Sequence, residues 1–176
     1  MKLFGPLSRS IAIAGLVVAS ILAAAPTFAA KADVELLQSY VGDWKGKGIL
    51  IGAESETVVC RLSLTPGNDD KVNYSGRCAM AGTNMSVSGT IAYIDAARRY
   101  EAAMTSNAGF SPEPAVGRRQ GSGIVFNLKE RGTDEEGNDM TITAAIALQS
   151  GKIKVDMNVV FNATGNSLKA SVPFTK

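Results

Sequence analysis

The stretch TVVCRLSLTPGNDDKVNYSGRCAM, residues 57–80, decides the fold. Val58, Cys60, Leu62 and Leu64 alternate with Arg61, Ser63 and Thr65. Beyond the turn signal PGNDD, Val72, Tyr74, Cys78 and Met80 alternate with Lys71, Asn73 and Arg77. A period of two on both arms predicts paired β-strands, each with one apolar face. Folding the segment about Asp69 sets Cys60 opposite Cys78, Leu62 opposite Gly76 and Leu64 opposite Tyr74. Directly opposite Cβ atoms lie about 4.5–5.5 Å apart. Disulfide Cβ atoms lie about 3.5–4.5 Å apart, so a bridge needs only modest adjustment.

Three further turns repeat the pattern. Folding about Gly82 and Thr83 sets Met80 against Met85, Cys78 against Val87 and Gly76 against Gly89, with a glycine suited to a tight hairpin. Folding about Ala96 and Ala97 sets Tyr93 against Tyr100 and Ile91 against Ala102. Folding about Ser150 and Gly151 sets Leu148 against Ile153 and Ile146 against Val155. A slip of one residue would oppose apolar to polar or charged side chains at each. The strands predicted are 43–51, 56–65, 71–81, 84–94, 98–106, 121–130, 138–149, 152–162 and 167–175. A short helix precedes them, with Asp33 near its start and Val34, Leu37, Tyr40 and Val41 on one face. A long meander with one apolar face must close into a barrel or fold into a sandwich. The expected fold is all-β, a single antiparallel meander barrel of roughly eight to ten strands with a short N-terminal helix. No repeat, linker or second domain is visible.

Residues 1–30 read as a cleaved secretory signal peptide, and 31–176 as the single barrel domain. Lys2 and Arg9 precede the apolar run IAIAGLVVASILAAA, and APTFAAKA supplies small residues for cleavage. Cleavage after Ala29 places Thr27 and Ala29 at the small-residue positions; Ala30 and Ala32 are alternative sites. With no cysteine nearby, a lipid anchor is not expected. The alternative is an uncleaved membrane anchor, but the run falls short of the ~20 residues a span needs. The expected location is periplasmic or extracellular. Lys2 and Arg9 leave with the signal, which reduces 18 basic residues to 16, equal to the 16 acidic ones. A neutral chain gives no general signal for nucleic acid or an anionic membrane. An even cysteine count in an exported chain suggests a disulfide. Two buried thiols are the alternative, and the hairpin register favours the Cys60–Cys78 bridge.

The sequence offers little chemistry. It contains no histidine, which excludes Ser-His-Asp and Cys-His catalysis and the usual zinc sites. Asp134, Glu135, Glu136 and Asp139 could offer oxygen ligands to Ca²⁺. Their spacing is not that of an EF-hand, and a solvated hairpin tip is the simpler reading. Arg99 and Glu101 read as surface charge. Arg118 and Arg119 end a long loop that begins near Asn107. They could hold an anionic head group at a barrel mouth, or simply be solvated. Gly121-Ser122-Gly123 is too short for a phosphate loop. No catalytic residue, metal or cofactor is expected.

The interior is the better candidate. Alternation turns Leu62, Leu64, Met80, Met85, Val87, Ile91, Ala102, Met104, Phe126, Ile142, Ala144, Ile146, Val155 and Met157 inward. Such a mix could leave a cavity that adapts to an apolar guest, or could pack fully. If a cavity exists, a lipid or other small apolar molecule would lie along Met85, Met104, Ile142 and Met157.

Gly42-Asp43-Trp44-Lys45-Gly46-Lys47-Gly48 reads G-x-W-x-G-x-G. It resembles the opening block of lipocalins and other calycins, especially nitrobindin-like barrels. The resemblance implies that Trp44 packs across one barrel end, and that the glycines let the first strand bend and the helix approach. An ordinary core tryptophan is the alternative. The match departs from the family in two respects. No arginine near the last strand can stack on the tryptophan, and Lys169 is the only basic residue inside that strand. The haem-ligating histidine of nitrobindins is also absent, so haem binding is not carried over. Cys60-Arg61-Leu62-Ser63-Leu64 is similar to the C-x-L-x-L of periplasmic metalloprotease inhibitors. The expected function is therefore an exported lipocalin-like binder of a small hydrophobic ligand. The alternatives are a protein-binding module such as a protease inhibitor, or an envelope protein without a ligand.

Overall fold

The computed structural model describes residues 28–80, 82–107, 113–134 and 136–176. The expected signal segment lies outside them except for its last residues. Helix α1 (Phe28–Gln38) leads into ten strands. These are β1 (Gly42–Ile51), β2 (Ser55–Pro66), β3 (Val72–Met80), β4 (Thr83–Ile94), β5 (Arg99–Ser106), β6 (Ala115–Gln120), β7 (Gly123–Thr133), β8 (Asp139–Gln149), β9 (Lys152–Phe161) and β10 (Ser167–Thr175). Each strand pairs antiparallel with its chain neighbours, and β10 returns to β1 to close the barrel. The expected fold class is the one found. Closure removes both sheet edges and hides the apolar face of every strand at once.

Three of the four hairpin registers are as the alternation predicts. Cys60 pairs with Cys78, Tyr93 with Tyr100, and Leu148 with Ile153. At the last turn Ser150 and Gly151 both have positive φ, 51° and 68°, the twist that suits a two-residue hairpin. The β3–β4 register differs by two residues: Met80 pairs with Thr83, Cys78 with Met85 and Gly76 with Val87. The turn closes earlier because Gly82 takes φ 72°. A slip of two preserves which face each side chain occupies, so the inward set is unchanged.

Two other expectations are corrected. Strand β6 was expected to be loop: it carries Arg118 and Arg119 and bridges β5 to β7. Helix α1 begins at Phe28, ahead of the start expected near Asp33, and ends at Gln38, so Tyr40 and Val41 lie beyond it.

The core is a single cluster from α1, Tyr40 and the inner faces of the strands. The outer wall carries Lys45, Lys47, Arg61, Arg77 and Lys154, all exposed. Apolar inside and charged outside is the reverse of a membrane-spanning barrel, whose lipid-facing wall must be apolar. Among the described residues no helix is long and apolar enough to cross a membrane.

Candidate functional site

The two ends of the barrel differ. One end, here the floor, gathers the turns after β2, β4, β6 and β8 and is covered by α1. Gln38 Nε2 donates to the Asp70 carbonyl at 3.1 Å, which fixes the helix end to the β2–β3 turn. Leu37 and Tyr40 are fully covered, and Trp44 beneath them is 1% exposed. The Trp44 indole donates to the Tyr40 carbonyl at 3.0 Å, so its one polar atom is satisfied inside the core. Trp44 thus sits where the resemblance implied. The glycines of β1 do a different job from the one expected. A side chain at Gly46 would strike Val172 and Phe174, and one at Gly48 would strike the Ser171 carbonyl, so they admit β10 rather than the helix.

A polar cluster pins the helix to the floor. The Tyr100 hydroxyl can donate to Asp33 Oδ1 at 3.0 Å or to its carbonyl at 3.1 Å. Arg119 Nη1 donates to the same Oδ1 at 3.0 Å. Asp33 is 9% exposed and Tyr100 fully buried, so the carboxylate needs these partners. Burial, then the Asp33 carboxylate, push the Tyr100 pKa well above the usual tyrosine range. Arg119 is therefore a floor residue and not a mouth residue, which removes the head-group alternative for Arg118 and Arg119 and also the solvated loop end for Arg119. The sequence signal for this cluster was weak: an arginine in a short strand reads as solvated loop until the strand is placed.

Above the floor the packing loosens. Tyr100, Ile124, Phe126, Leu148, Ile153 and Phe174 are buried, whereas Met80, Met85, Met104 and Met157 are only half-buried. They face an interior cavity of about 210 Å³. All fourteen residues expected to turn inward line it. Met85, Met104, Ile142 and Met157 come from β4, β5, β8 and β9, and the cavity brings them to one space. Alternation also pointed to Leu128, which lines the same wall but was left out of the expected set. Cys60 and Cys78 form a disulfide, and it too faces the cavity. Tyr74 contributes the only hydroxyl among these lining residues, and it donates to the Ala103 carbonyl at 2.9 Å. Burial holds the Tyr74 pKa up at about 12. Such a wall offers no acid, base or free nucleophile to a guest.

The acidic hairpin tip folds on itself. Asn138 donates to both carboxylate oxygens of Asp134, through its backbone N–H at 2.7 Å and its side chain at 2.9 Å. Arg99 pairs with Glu101 through Nε at 2.8 Å.

The barrel is similar in fold to two solved structures. Over 79% of this chain and 94% of the other, it matches Rv2717c from M. tuberculosis at TM-score 0.60 and 12% identity. It matches the S-type phycobiliprotein lyase CpeS from Guillardia theta at TM-score 0.54 and 14% identity, over 85% of this chain and 96% of that one. No family model and no curated protein matches by sequence. These likenesses and the closed antiparallel barrel fit a lipocalin- or calycin-like fold.

Proposed function

We propose that this chain is an exported, non-catalytic binding protein for a small apolar molecule. The guest enters at the end away from Trp44 and lies along Met85, Met104, Ile142 and Met157. The observation that carries this reading is a cavity of about 210 Å³ with an almost wholly apolar wall. Apolar cavities of about 150 Å³ already hold a benzene-sized guest. Thioethers on three strands adjust to shape, which suits an apolar pocket that must accept a flexible molecule. The likeness to a phycobiliprotein lyase supports a small-molecule role for the barrel. The G-x-W-x-G-x-G opening favours a nitrobindin-like variant of the fold, without haem. Export is supported by the disulfide, which persists in oxidising compartments. The inhibitor alternative asks the N-terminal segment to enter a protease cleft, and here that segment is a helix packed on the floor.

The test is titration with an environment-sensitive apolar dye and with a long-chain fatty acid, beside native mass spectrometry of protein from its own compartment. One saturable site and a co-purified lipid are expected. A captured protease with no dye binding would instead favour the inhibitor reading.

A further inference from the structure

The outer wall carries a second feature, on the face of β1–β4 opposite to the cavity. Lys45, Arg61 and Arg77 occupy one cross-strand row over β1, β2 and β3: Lys45 pairs with Arg61, and Arg61 with Arg77. The next position in the row, on β4, is Ser86. Like charges placed directly opposite on a sheet repel each other. All three cations are exposed, and among the described residues none of them forms an ion pair. They line a groove of about 870 Å³ with the hydroxyls of Ser63, Ser75, Ser86 and Ser88. Asp43 also borders this groove, where its carboxylate accepts from Ser63 Oγ at 2.7 Å, so three cations face one carboxylate there. The chain's small net charge of +2 conceals this local concentration.

We infer that Arg61, Arg77 and Lys45, with the hydroxyls beside them, form a binding groove for a phosphate-type oxyanion. Guanidinium groups bind such oxyanions through paired N–H bonds, and the Ser75 and Ser86 hydroxyls supply further donors, those of Ser63 and Ser88 being engaged by Asp43 and Thr105. Lys45 adds a mobile point charge at one end of the row. An anion bound there relieves the repulsion that the strand register imposes. The shared chemistry is a phosphate group, whether free or carried by a lipid headgroup.

The experiment is backbone-amide NMR of the full barrel titrated with inorganic pyrophosphate and, separately, with phosphatidylglycerol vesicles against phosphatidylcholine vesicles. Saturable shifts confined to β1–β4 with pyrophosphate are expected, weakening at least tenfold in R61A/R77A and on raising salt. Arg118→Ala, on exposed β6, is expected to leave them unchanged. Response to phosphatidylglycerol vesicles alone would assign the phosphate to a lipid headgroup. No saturable response in either arm, or a response that R61A/R77A leaves intact, overturns the inference. Dye binding in the cavity should be the same in Arg77→Ala, because Arg77 borders the groove and not the cavity, so failure of one reading leaves the other to be judged separately.

Discussion

The ammonium of Lys176 lies 4.9 Å from the centre of the Trp44 ring and donates to the Val41 carbonyl at 2.9 Å. A cation thus sits over the floor tryptophan, one residue beyond the strand in which Lys169 is the only basic residue. Two contributions to the floor can be separated by mutation. Trp44→Ala should destabilise by roughly 3–5 kcal/mol, because it empties the base of the core. Lys176→Ala should cost about 0.5–1 kcal/mol, the range for an exposed cation–π contact. Urea denaturation followed by far-UV circular dichroism reads both. A water-exposed fluorescence maximum for the wild type would contradict the floor geometry.

The Cys60–Cys78 bridge closes a segment with a sequence separation of 18. A loop of that size restricts the unfolded chain by about 3 kcal/mol. Peptide mapping without reduction should recover one linked pair. Cys60→Ser/Cys78→Ser should lower the urea midpoint with little change in slope. Two alkylatable thiols in the native exported protein would refute the bridge.

All four tyrosines, Tyr40, Tyr74, Tyr93 and Tyr100, have pKa values raised above the ordinary range, chiefly by burial. The fold therefore favours the neutral phenol over phenolate. Its contribution to stability is complete below about pH 10, where unfolded tyrosine titrates, and is lost as pH rises through the folded values. For Tyr74 that window runs from the ordinary value up to about 12. Absorbance at the tyrosinate band should rise later in native protein than in urea. Tyr74→Phe should flatten the alkaline loss of stability. Superimposed native and denatured titrations would contradict the burial of these rings.

Gly48 faces the Ser171 carbonyl so closely that any β-carbon would collide with backbone. Backbone yields less readily than a side-chain tip, so Gly48→Ala should force β1 and β10 apart. The expected cost is about 1–3 kcal/mol, as for other overpacked sites. Hydrogen exchange should accelerate along β10 first. Unchanged exchange at Ala170 and Val172 would rule out this close approach.

The strands were legible where side chains alternate, and illegible where they do not. Residues 57–80 revealed their own pairing because each arm carries four inward apolar residues. Strand β6 concealed itself: Gly117 lacks a side chain to make room for Phe126, and Arg119 turns inward to meet Asp33. Its inward positions are thus an alanine, a glycine and a charge, which read as loop. The cavity wall was legible for the same reason as the strands, since a closed barrel gathers every inward residue into one space. The Arg61–Arg77 row was less visible, because it depends on register across three strands rather than on any local run. The β3–β4 slip shows the limit of matching apolar to apolar, as a shift of two residues satisfies it equally well.

The cavity makes the sharpest demand on a single position. Met104 lies on β5 directly opposite Gly89 and is half-buried against the open space of the cavity. Met104→Trp should fill that space and abolish dye and fatty-acid binding. Because the added ring enters an existing cavity, it should cost less than the about 1–3 kcal/mol typical of overpacking a dense core. Met104→Leu, nearly equal in volume, should keep both binding and stability. Binding isotherms and urea midpoints for the three proteins decide the matter together. If Met104→Trp is strongly destabilised and the wild type binds no dye, the interior is filled. The barrel would then act through its outer wall.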